Sequence, residues 1–88
     1  MTLKIKVDGK DRCILNVEFV EFKSSNRAHV YVNSELPILF HSLFQWIGRR
    51  QGKYSVFDIE IISAGNPIYG YVLHSQHHEF KQECWLYL

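Results

Sequence analysis

With 88 residues, 47% of them hydrophobic and 22% charged, the chain has the composition of one ordered globular domain, 1–88, too short for two. A formal net charge of +1 supplies no global field for nucleic acid or an anionic membrane, which argues against either as a partner. No apolar run has the length of a leader or a membrane span, and two cysteines make no disulfide framework. The expectation is a cytoplasmic protein in which Cys13 and Cys84 are small buried thiols.

Leu3, Ile5 and Val7 alternate with Lys4, Lys6 and Asp8, the period of a strand with one dry face. Asp8-Gly9-Lys10-Asp11 is hairpin-turn chemistry. A second strand follows, with Cys13, Leu15, Val17 and Phe19 on one side and Ile14, Asn16, Glu18 and Val20 on the other. Ser24-Ser25-Asn26 makes another turn, and Ala28 to Val32, rich in β-branched and aromatic residues, completes a three-stranded meander.

From Leu36 to Gln51 the apolar residues Leu36, Leu39, Phe40, Leu43, Trp46 and Ile47 recur every three or four positions, which predicts the chain's one long helix. Ser34 suits its N-cap, Glu35 and Pro37 its first turn, and Gly48 or Gly52 its left-handed end. Tyr54 to Ser63 then alternates as a strand, Gly65-Asn66-Pro67 breaks it, and Ile68 to His74 and Glu83 to Leu88 form two more strands, apolar on both faces. The expected fold is therefore α+β, a six-stranded, mostly antiparallel sheet in βββ-α-βββ order with the helix packed on one face. A helix about 10 Å across covers two or three strands spaced about 4.8 Å apart, so the rest of the apolar face needs another cover. A homodimer is the expected cover, and a strongly curved sheet is the alternative.

His74, His77, His78 and Cys84 are suitable zinc-ligand types, but their spacing matches no ligand pattern, and no metal or other cofactor is expected. His29 and His41 are candidate proton carriers for phosphodiester cleavage, with Asp58, Glu60 or Glu79 as partners and Arg49 and Arg50 to hold phosphate. Lys4, Lys6, Lys10 and Arg12 share the outer side of the first hairpin, where edge lysines also serve against aggregation. Tyr69, Tyr71, Trp85 and Tyr87 form an aromatic set suited to a contact surface or, with Trp46, a small-ligand pocket. The functional expectation is a small stand-alone binding protein of inhibitor, immunity or adaptor type. It acts through its aromatic sheet surface on a protein partner, as a homodimer, and the sequence reads more readily as a binder than as an enzyme. A histidine-dependent nuclease and an aromatic ligand pocket are the alternatives.

Overall fold

The alternation of apolar and polar residues produces strand after strand in a computed structural model of the chain, which describes residues 1–6, 12–33, 49–73 and 81–88. The strands are β1 (Thr2–Lys6), β2 (Arg12–Asn16), β3 (Phe19–Ser24), β4 (Arg27–Asn33), β5 (Arg49–Gln51), β6 (Tyr54–Ser63), β7 (Ile68–Leu73) and β8 (Lys81–Tyr87). All pair antiparallel in the order β2-β1-β8-β7-β6-β4-β3, and β5 pairs with the start of β6 on the side that β7 takes further along.

The two edge strands of this order, β2 and β3, are consecutive in the chain and joined only by Val17 and Glu18. So short a link spans roughly 10 Å, whereas the edges of a flat sheet of seven strands would stand about 29 Å apart. The sheet must therefore curl until its edges meet at that corner, and it forms a half-barrel. Two backbone hydrogen bonds fix the corner, Val17 N to Met1 O and Glu18 N to Tyr31 O, each 2.8 Å.

The concave side holds the core. Leu15, Leu3, Leu86 and Ile68 form one lateral row across β2, β1, β8 and β7, and Val20, Val30 and Phe57 another across β3, β4 and β6. Leu3, Ile5, Phe57, Ile59 and Leu86 are fully buried there.

This overturns the α+β expectation: among the described residues there is no helix, and the sheet has eight strands instead of six. Arg49–Gln51, read as the last turn of the helix, is β5. Gly52 explains the misreading, because its φ of 59° serves the two-residue turn from β5 into β6, and a left-handed glycine fits a helix end and a tight hairpin equally well. Leu36–Gly48, the remainder of the expected helix, lies outside the described residues.

The strand expected from Cys13 to Val20 is two strands. At Val17 and Glu18 the inward phase slips by one residue, so that Val20 faces Val30 in the core row and Phe19 faces Tyr31 outside. The expected meander thus divides, β2 going to one edge of the sheet and β3 to the other. Leu3, Ile5, Phe57, Ile59 and Leu86 on the inner face are buried within the single chain, so that face does not call for a second chain as its cover. No helix among the described residues is long and apolar enough to cross a membrane.

Cys13 and Cys84 stand opposite Ile5 on its two sides, two strand spacings or about 10 Å apart, beyond the roughly 7 Å that a disulfide bridges. Cys84 is a free, buried thiol, and burial pushes its pKa up to about 12. In a Cys13→Ser variant at pH 8, Cys84 is expected to react with an aromatic disulfide reagent only as fast as the protein opens. Labelling within seconds of mixing, with the fold intact, would show that the inner face is accessible.

Candidate functional site

With the core on the concave side, chemistry is left to the convex side. Strand pairing assembles two groups there.

The first lies on β1, β7 and β8. Tyr69 stands opposite Trp85, and Trp85 opposite Lys4, while Tyr71 faces Glu83 and Tyr87 faces Thr2. All four aromatic side chains expected to form a contact surface are thereby placed on one outer face, each half-buried. The Tyr69 ring lies 6.0 Å from Tyr71 and 5.9 Å from Trp85, tilted by 60° and 49°. Lys4 Nζ sits 5.0 Å from the centre of the Tyr87 ring, and Lys81 Nζ 5.8 Å from that of Tyr71. Tyr69 donates its hydroxyl to Glu83 Oε2 at 2.9 Å, Lys6 lies 3.7 Å from Glu83 Oε1, and Lys81 lies 3.2 Å from Glu60. Hydrogen bonding with Tyr71, and then with the Glu83 carboxylate, raises the Tyr69 pKa above its ordinary value and keeps this phenol neutral.

The second group lies on β3, β4, β5 and β6. Phe19 and Tyr31 stack at 4.2 Å and 13°, and Tyr54 meets both edge-on at 5.5 and 5.7 Å. Beside them β5 delivers Arg49 Nη2 to 3.4 Å from Asp58 Oδ1 and 3.3 Å from His29 Nδ1. His29 Nε2 lies 3.2 Å from the same Asp58 oxygen, and His29 Nδ1 lies 3.6 Å from Glu21 Oε1. Lys23 at 3.2 Å and the Tyr31 hydroxyl at 3.3 Å complete the surroundings of Glu21. The hydrogen bond from Lys23, with lesser help from its charge and from Tyr31, holds the Glu21 carboxyl below its ordinary pKa.

Three residues named for phosphodiester chemistry, His29, Asp58 and Arg49, therefore do converge. Asp58 lies against one ring nitrogen of His29, and Arg49 and Glu21 lie against the other. The cluster so formed ties β3, β4, β5 and β6 together across the convex face. Glu60 is engaged by Lys81, and Arg50 donates to Ser55 Oγ and Gly52 O, both at 3.3 Å. His41, Glu79, His74, His77, His78 and Trp46 lie outside the described residues. Among the described residues no group of three or more His, Cys, Asp and Glu side chains is placed to hold a metal ion.

Sequence reasoning missed the Phe19, Tyr31 and Tyr54 cluster and the place of Glu21. The phase slip at Val17–Glu18 hid the outward turn of Phe19, and only the β3–β4 register sets Glu21 opposite His29. The chain matches no protein-family model, no curated protein and no solved structure.

Proposed function

We propose that the protein is a small binding protein whose contact surface is the convex aromatic face of β1, β7 and β8. The observation that carries this reading is the placement of Tyr69, Tyr71, Trp85 and Tyr87 on the side of the sheet opposite the core. Folding buries Ile68, Val72, Cys84 and Leu86 from the same two strands, so the curl accounts for one face of β7 and β8 and not for the other. Tyrosine and tryptophan outside a core are the residues in which contact energy concentrates, since each combines a large apolar area with a polar tip. A two-fold pairing of this face with a second copy is self-complementary, and it serves as a resting state that a ligand displaces.

Light scattering at micromolar concentration tests the surface. The wild type is expected at twice the chain mass and Trp85→Ala at the chain mass, with native circular dichroism in both. A monomeric wild type would remove the self-association, and a folded Trp85→Ala that stays dimeric would move the contact to another face.

A further inference from the structure

The geometry points to single-stranded nucleic acid as the ligand of the convex face, an inference that rests on the binding reading above. The basic first hairpin and the aromatic C-terminal strands are far apart in the chain, and the net charge of +1 conceals any local excess. Strand order removes the separation: β8 lies directly between β1 and β7, so Lys4 stands beside Trp85 and over the Tyr87 ring. Lys81 reaches over Tyr71 from the other end of β8.

With Glu60 of β6, which stands opposite Tyr71, the outward positions here hold three lysines, Lys4, Lys6 and Lys81, against two carboxylates, Glu60 and Glu83. Lys81 lies against Glu60, and Glu83 is held by Tyr69 and Lys6.

The rings themselves separate this face from ordinary packing. Phe19 and Tyr31 lie nearly parallel at 4.2 Å and consume each other's faces. Tyr69 meets Tyr71 and Trp85 at tilts of 60° and 49° and about 6 Å, neither pair face to face, and Lys81 and Lys4 lie over the Tyr71 and Tyr87 rings. Rings interleaved with lysines are what a single strand needs, because every base offers a π face to stack and every linkage a phosphate to neutralise. An acidic protein segment would use the lysines and leave the rings idle. A duplex keeps its bases stacked internally and has nothing to offer the rings.

Fluorescence anisotropy with fluorescein-labelled oligouridylate of about twelve nucleotides, within the range of site sizes for single-strand binders, tests the assignment. Wild-type protein is expected to bind at low salt. Three phosphate contacts would weaken binding roughly twenty-fold between about 50 and 200 mM salt, and Lys4→Gln should lower the slope of that dependence by about a third. Tyr71→Ala should weaken binding between roughly five-fold and a hundredfold, while Tyr71→Phe, which keeps the ring, should bind nearly as wild type. Circular dichroism confirms that each variant is folded, and Lys4→Gln and Tyr71→Phe keep the test alive should Tyr71→Ala not fold.

No binding at low salt would overturn the inference, as would equal affinity for a duplex of the same length or for polyglutamate. If oligouridylate fails while the wild type is a dimer that Trp85→Ala dissociates, the nucleic-acid inference falls and the contact surface stands. If both measurements fail, the contact surface falls with it.

Discussion

Gly70→Ala is expected to destabilise the protein by about 3 kcal/mol, a substantial share of the roughly 5 to 15 kcal/mol that holds an ordinary domain folded. Gly70 lies on the inner face of β7 between Ile61 of β6 and Cys84 of β8, where the β6–β7 register slips between Ile61 and Ser63. A Cβ at this position would overlap the carbonyl oxygen of Glu60, with Glu60 C at 3.0 Å and Ile61 Cα at 3.3 Å. These are backbone atoms of a paired strand and have no rotamer to escape into, so the two strands must part at the irregularity. Urea unfolding measures the cost, and Gly65→Ala is the control. The added methyl at Gly65 would meet only Pro67 O at an ordinary 3.6 Å. A midpoint for Gly70→Ala equal to that of the wild type would mean that the β6–β7 slip absorbs a side chain freely.

Phe57→Ala should cost about 3 to 5 kcal/mol. Phe57 is among the largest fully buried side chains and stands opposite Val30, in a strand paired at different points with β4, β5 and β7. Its removal takes away buried area and leaves a cavity in the middle of the half-barrel, where three neighbouring strands oppose collapse. Phe22→Ala, at a ring 55% exposed on edge strand β3, should change stability by less than about 0.5 kcal/mol. Denaturant midpoints at unchanged m-values would separate the two, and comparable losses would mean that edge strand β3 buries its inward ring as fully as the centre of the sheet does.

Most strands were legible because alternation is local: Leu3 and Ile5 against Lys4 and Lys6, or Ile59 and Ile61 against Asp58 and Glu60, announce themselves within a few residues. What failed was non-local or ambiguous. Phe19 continues the alternation of Leu15 and Val17, and nothing nearby reveals that the chain crosses from one sheet edge to the other between them. The aromatic set was legible as a set, since Tyr69 and Tyr71 alternate with Ile68 and Val72. Both sides of β7 and β8 are apolar, however, so which side is core follows only from the direction of the curl. Asp58 read as outward from its alternation with Phe57 and Ile59, but its meeting with His29 depends on the β4–β6 register, which pairs residues nearly thirty apart.

β8 lies between β1 and β7 although every other described strand precedes it in the chain. Among the described strands the β1–β2 hairpin is paired to the rest of the sheet through β8 alone, so during synthesis it has none of them to dock on until residues 81–87 emerge. The β3, β4, β6 and β7 ladder can form earlier, but it then ends on β7 with one backbone edge open. Closure of the half-barrel is thus a late step that joins distant parts of the chain at once, the kind of step that contact-order arguments make slow. A chain halted before residue 81 would display β7, with Tyr69 and Tyr71, as an uncapped apolar edge suited to pairing with another incomplete chain. The strand that brings lysines and rings onto one surface therefore also guards the nascent protein from aggregation.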